Sequence, residues 1–383
     1  MANPLAKEMI MTGQFHGVER FEIGLSFLPQ PDFLAYRIPK THHTLMTNDG
    51  SALSIQLADK LRAEGNQVVI LNLPGIPNPI RKQAVNLAAY TDKAVGQAIA
   101  QIQQQYGQTG SFIHLHPHFE FEQGNFTQHF QAEREVTKAL FFVAKHIQKD
   151  LNKLGQQQRA NFISVTRMDG KLGQGKRSNT SVVGGGITGL VKCLNLEWSP
   201  VFCRALDLQP EIATEEMAKH IMAELHDPNR NLIEVGISEE GRKTTNVQAA
   251  TPSENQTIQT KVSQESVFLV SGGARGVTAS CVIEMAKTFQ CKFILLGRSD
   301  FSFEVPDFAQ AESDEGNLKR LIMLDLQAKG EQPSLAKVKS IFKQIVAKQE
   351  IKNTLAQIKS HGAEVAYIQG DVTKLSSFRQ ALD

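Results

Sequence analysis

The chain has 383 residues, 41% of them hydrophobic and 21% charged, with a formal net charge of +2. That length accommodates two domains of ordinary size, and the near-balanced charge offers no footprint for nucleic acid or an anionic membrane surface. No apolar stretch reaches transmembrane length, and the N-terminus lacks the charged-then-apolar pattern of a signal peptide. Cys193, Cys203, Cys281 and Cys291 lie in or beside apolar segments without paired spacing. They read as reduced, buried, small apolar residues of a cytosolic protein.

Residues 1–40 are mixed. Phe21, Ile23, Leu25 and Phe27 alternate as one strand would, but Pro29, Pro31 and Pro39 break up the remainder, so the segment reads as a leader or linker. From 41 the pattern sharpens. The apolar run after Thr44 meets Asn48-Asp49-Gly50-Ser51, and Leu53, Leu57 and Leu61 then recur at helical spacing up to a stop at Gly65. Strands are expected at 68–71, 112–115, 161–165, 203–208 and 232–235. Helices are expected at about 86–105, 132–152, 187–196 and 211–225. This alternation implies a mostly parallel, doubly wound sheet over 41–246. A polar linker at 247–265 follows.

The second part opens on Val267-Phe-Leu-Val-Ser271, a glycine loop Gly272-Gly273-Ala274-Arg275-Gly276-Val277, and a helical segment to Lys287. Phe293-Ile-Leu-Leu296 then ends in Gly297-Arg298-Ser299. Strand, glycine loop, helix and strand in that order make a dinucleotide-binding unit. Glycines at 272 and 276 allow positive φ and close backbone approach to a pyrophosphate, and the helix start offers unpaired N–H groups. Residues 300–350 read as an exposed insertion with some helix. A helix near 351–359, a stop at Gly362, a strand at 364–368 and Gly370-Asp371-Val372-Thr373 resume the rhythm. The fold class is therefore α/β, with two Rossmann-like doubly wound parallel-sheet units, the second (266–383) truncated.

The two units repeat one plan but differ at the turn. Asp49 puts a carboxylate where phosphate charge would sit, so the first unit is expected to be cofactor-free. In the second, Arg298 and Ser299 follow the second strand, where arginine favours the 2′-phosphate of NADP over the free hydroxyl of NAD. Arg275 reaches toward the same phosphate. Asp371 and Val372 are placed to border the adenine, and Asp371 also suits a helix N-cap. His114, His116 and His118 alternate as metal ligands on a strand would, but Pro117 interrupts them and no cysteine or acidic cluster joins them. They are expected to be hydrated strand-end histidines, with no metal bound.

Ser271-Gly-Gly-Ala-Arg-Gly-Val-Thr278, Leu295-Leu-Gly-Arg-Ser299 and Gly370-Asp-Val-Thr373 resemble the ketoreductase domain of modular polyketide synthases, a short-chain dehydrogenase/reductase. The resemblance is stronger to the ketoreductase of bacterial polyunsaturated fatty acid synthases, and it extends over about 41–383. The loop departs from the commoner family pattern at Arg275 and Thr278, where glycines are usual. The resemblance implies a structural subdomain followed by an NADPH-binding catalytic one, and reduction of a β-ketoacyl group on an acyl carrier protein. It implies NADPH contacts from Gly272, Gly273, Ala274, Arg275, Gly276, Val277, Arg298, Ser299, Asp371 and Val372. Other synthase domains are the implied partners.

Such a reductase needs a proton-donating tyrosine with a lysine about one helical turn away. The four tyrosines are Tyr36, Tyr90, Tyr106 and Tyr367. Only Tyr36 has a lysine at that spacing, and Pro39 lies between them. In the first unit, Ser164 and Gly184–Leu190 occupy the places of a catalytic serine and tyrosine helix, without a tyrosine. No catalytic residue is assigned, and the chain reads as a piece of a reductase or, alternatively, as a non-catalytic scaffold of the synthase.

Overall fold

The computed structural model describes residues 21–31, 37–119, 126–175, 183–249, 262–310, 312 and 314–382. They fall into two compact units, within Met1–Pro252 and Ser253–Asp383.

The first unit runs β1 (Phe21–Phe27), β2 (His43–Asn48), α1 (Ala52–Ala63), β3 (Val68–Asn72), β4 (Ala84–Asn86), α2 (Asp92–Tyr106), β5 (Thr109–Leu115) and α3 (Phe126–Gly155). It continues with β6 (Asn161–Thr166), α4 (Val183–Glu197), β7 (Phe202–Leu208), α5 (Thr214–His226), β8 (Glu234–Ser238) and β9 (Gly241–Ala249). The strands form one sheet in the order β1-β9-β8-β7-β6-β5-β2-β3-β4. From β4 to β8 the pairing is parallel, while β9 and β1 join antiparallel. The strand order reverses between β2 and β5, which is the switch point of a doubly wound sheet.

Every residue of β2, β3, β5, β6, β7 and β8 is buried, as parallel strands covered on both faces must be. One face packs against α2, α3 and α4. There Phe112 lies 5.0 Å from Phe162 and Phe162 meets Trp198 edge-on at 5.6 Å. On the other face Leu53, Leu57 and Leu61 of α1 pack with Met217 and Ile221 of α5.

Three boundaries differ from expectation. Phe21–Phe27 is a strand of the first sheet, paired residue for residue with Lys243–Ala249, where a leader was expected. Strand β9 also runs to Ala249, past the start expected for the linker. The partners are over 200 positions apart, so local pattern could not reveal the pairing. The strand expected at 232–235 is Glu234–Ser238. Of the four cysteines expected to be buried, Cys203 and Cys291 are, while Cys193 and Cys281 are exposed on their helices.

A buried ion network closes this end of the sheet. Arg204 on β7 has no exposed surface. It bonds Asp227 at 2.7 Å, Glu224 on α5, and the Leu232 carbonyl oxygen at 3.1 Å. Arg242 on β9 reaches the same two carboxylates, Glu224 at 2.9 Å and Asp227 at 2.6 Å. Burial raises the cost of each charge, and mutual pairing offsets it.

The second unit runs β10 (Val267–Ser271), α6 (Gly276–Phe289), β11 (Lys292–Gly297), a short 3-10 turn at Asp307–Ala309, α7 (Glu315–Ala328), α8 (Leu335–Ser360), β12 (Val365–Gln369) and α9 (Leu375–Leu382). Its strands pair in parallel in the order β10-β11-β12. The core joins α6, β11 and the C-terminal half of α8 through Val282, Ala286, Phe293, Leu295, Ile351 and Ile358. The segment expected as an exposed insertion carries its own small core of Leu318, Ile322, Leu326, Val338 and Ile345. The helix expected near 351–359 is the far end of α8, a single 26-residue helix.

Among the described residues, no helix is long and apolar enough to cross a membrane.

Candidate cofactor-binding site

The loop between β10 and α6 takes its shape from two glycines. Gly272 has φ +70° and Gly276 φ +62°, a region that side chains with a Cβ avoid. The Gly272 N–H donates to the Leu296 carbonyl oxygen at 2.7 Å, tying the loop to the end of β11. Gly273 is needed for a different reason, since a Cβ there would come within 2.7 Å of Val270 Cγ1. Ala274 is buried. Arg275 precedes α6 as its N-cap without a side-chain capping bond. Among the described residues, the first-turn N–H groups of α6, beginning at Gly276 and the exposed Val277, have no side-chain acceptor. A helix start in that state suits an anion.

The turn after β11 is held from β12. The Tyr367 hydroxyl donates to the Ser299 carbonyl oxygen at 2.9 Å, and burial pushes its phenol pKa up. A Cβ at Gly297 would lie 2.6 Å from that hydroxyl oxygen, so only glycine lets the ring approach. Arg298 is exposed, and its guanidinium has no hydrogen bond to another described residue. Gly272, Ala274, Arg275, Arg298, Ser299, Ile351 and Tyr367 help line a cavity of about 410 Å³. A second cavity of about 520 Å³ lies between Arg298, Gln369, Gly370, Asp371, Ser377 and Gln380. Arg298 borders both.

Asp371 N–H donates to Ser377 Oγ at 3.0 Å, and the carboxylate accepts from Thr373 N at 3.1 Å and Thr373 Oγ1 at 2.7 Å. Those bonds, the Thr373 hydroxyl first, hold its pKa below the usual carboxylate range, and Arg298 adds to the effect. Val372 is exposed beside it. Of the ten sequence-predicted residues, Gly272, Ala274, Arg275, Arg298, Ser299 and Asp371 line the two cavities. Gly273, Gly276, Val277 and Val372 shape the adjoining turns. Sequence reading missed Tyr367 and Ile351. Tyr367 reaches the turn across the β11–β12 pairing and Ile351 arrives on a helix, and a local pattern shows neither partner.

The equivalent turn of the first unit is filled by its own chain. Asp49 accepts from Ser51 N at 3.0 Å, Ser51 Oγ at 2.7 Å, and Arg167 Nη2 at 2.8 Å. The loop after β3 lies over this turn. Asn78 Nδ2 donates to the Gly50 carbonyl oxygen at 2.9 Å, and Pro77 would lie 2.9 Å from a Cβ at Gly50. Asn72, at the end of β3, is bonded to Asn48, Asn86 and the backbone of Ile80. Asp49→Ala leaves the poorly exposed Arg167 without its carboxylate and frees the start of α1. The first unit should lose about 2–3 kcal/mol in urea unfolding.

The histidines also differ from expectation. His114 and His116 are buried, not hydrated. Thr47 Oγ1 and His114 Nδ1 lie 3.0 Å apart, His114 Nε2 and His116 Nδ1 3.3 Å, and His116 Nε2 and Glu133 Oε1 3.1 Å. Burial drives the His114 pKa well below its ordinary value. Helix α3 supplies Glu133, a partner that strand alternation cannot anticipate. Among the described residues no cluster of histidine, cysteine and carboxylate is arranged to hold a metal.

A doubly wound sheet with a switch point, followed in the chain by a three-stranded parallel unit with a glycine loop, makes a ketoreductase-like fold. The chain is similar to one component of the polyunsaturated fatty acid synthase of Thraustochytrium sp., at 27% identity over 374 residues. That alignment takes in 92% of this chain and spans 13% of the synthase polypeptide. Two solved structures are similar in fold. One is the adenylation, ketoreductase and pseudo-Asub multidomain structure of a keto acid-selecting NRPS module, at 14% identity and a TM-score of 0.65 over 98% of this chain and 27% of that one. The other is an N-terminal ketoreductase from the macrolactin assembly line, at 13% identity and a TM-score of 0.60 over 94% of this chain and 60% of that one. No protein-family model matches the chain.

Proposed function

We propose that this chain is part of an NADPH-dependent ketoreductase module of a cytoplasmic synthase making polyunsaturated fatty acids or polyketides. The module would reduce a β-ketoacyl group on an acyl carrier protein to the β-hydroxyacyl form. One observation carries this reading: Arg298, whose guanidinium has no hydrogen bond to another described residue, follows β11 and borders two cavities, one of them lined also by a loop with positive-φ glycines that leads into an uncapped helix start.

NADPH would supply a hydride to the ketone carbon. The first-turn N–H groups of α6 would hold the pyrophosphate, Arg298, Arg275 and Ser299 the 2′-phosphate, and the cavity beside Asp371 and Val372 the adenine. The first unit would brace the module, its own turn being filled by Asp49 and the loop over it. Proton delivery to the carbonyl oxygen would come from elsewhere in the synthase. Tyr36 lies outside the described residues. Tyr90 bonds the Pro74 carbonyl oxygen at 2.6 Å and Tyr367 that of Ser299, while Tyr106 ends α2.

The chain should bind NADPH weakly, bind NADH more weakly still, and reduce no ketone. Calorimetry with both nucleotides, and NADPH fluorescence with a small β-keto thioester, test this. Equal binding of the two would remove the NADPH assignment. Steady turnover by the chain alone would overturn the placing of the proton donor.

A further inference from the structure

The insertion after β11 returns to the sheet as α8, and a single turn of that helix meets the glycine loop. The buried Thr354 hydroxyl donates to the Ala274 carbonyl oxygen at 3.0 Å. Ile351 lines the 410 Å³ cavity. Glu350 accepts from Arg275 Nε. The other half of α8 carries Val338 and Ile345 of the insertion's own core, so the insertion delivers Glu350 to the site.

Glu350 engages only the Nε edge of Arg275, and the two Nη atoms have no hydrogen-bond partner among the described residues. A guanidinium fixed at Nε keeps its Nη edge for a two-point contact with a phosphate. The side chains are 43% and 47% exposed, so the pair adds little to stability. Its effect is on where the guanidinium sits. We infer that Glu350 is a positioning residue for 2′-phosphate recognition, holding Arg275 so that it and Arg298 address one anion across the cavity. The inference rests on the nucleotide reading above. Bonded at Nε, the carboxylate occupies a different edge of the guanidinium from the one offered to the ligand.

Calorimetric titration of the full chain with 2′,5′-ADP and 5′-ADP tests it. Glu350→Ala should weaken 2′,5′-ADP binding about three- to tenfold and leave 5′-ADP unchanged. Glu350→Gln, which still accepts from Nε, should stay within about twofold of the parent. In an Arg275→Ala background, Glu350→Ala should change nothing further. Unchanged or tighter 2′,5′-ADP binding in Glu350→Ala overturns the inference, as does equal loss for both nucleotides or an additive loss in the double variant. Arg298→Ala separates the two readings. If it abolishes the preference for 2′,5′-ADP while Glu350→Ala does not alter it, only the role of Glu350 falls. If the parent shows no preference, the nucleotide reading falls and takes this inference with it.

Discussion

On the proposed NADPH reading, Arg298→Asp should reverse the nucleotide preference of the second unit: 2′,5′-ADP and NADPH should bind more weakly, and 5′-ADP and NADH as well as before or better. A hydrogen bond to a charged group contributes about 1.5–3 kcal/mol, on the order of ten- to a hundredfold in affinity. The new carboxylate adds repulsion toward the 2′-phosphate and offers an acceptor to a 2′-hydroxyl. The effect is confined to the ligand, because the exposed Arg298 guanidinium holds no described neighbour in place. Unfolding of the variant should match the parent. Calorimetry with the four nucleotides reads the result, and an unchanged preference would take Arg298 out of 2′-phosphate recognition.

The largest effect on stability is expected at Glu224. Its side chain is fully buried and accepts from both Arg204 and Arg242. Glu224→Ala leaves two buried arginines with Asp227 as their shared carboxylate, and breaking such a network from one side costs about 3–5 kcal/mol. Replacing a whole network with packed apolar side chains can be neutral, so the loss measures the stranded charge and not the worth of the bridge. Urea unfolding should show a lower midpoint for the first unit. A loss under about 1 kcal/mol would mean that water reaches Arg204 in the folded state.

The elements around the glycine loop were legible because their signals are local. An apolar run, a glycine loop and a helical period occupy 267–289, and each rests on the conformational limits of its own residues. Arg298 could be picked out because it follows a strand directly. The insertion was harder. Its helices α7 and α8 show only modest amphipathic pattern in the chain, since they pack partly on each other and partly on the sheet. Its core of Leu318, Ile322 and Val338 therefore read as surface. The histidine strand failed for a related reason. Alternation correctly put His114 and His116 on one side, but what covers that side is Glu133, from a helix whose position the strand does not encode.

By itself, the sequence determined the repeated strand–turn–helix plan, the difference between Asp49 and the glycines at 272 and 276, and the arginine after β11. These are matters of backbone freedom, side-chain period and charge at adjacent positions. Tertiary structure alone decided the pairing of Phe21–Phe27 with Lys243–Ala249, the loop that covers Gly50, the arrival of Thr354 and Glu350 at the glycine loop, and that of Tyr367 at the turn after β11. Those contacts join residues between 28 and more than 200 positions apart. Their partners are chosen by which helix and strand faces pack together, a choice made by burial over the whole unit and not by any one segment.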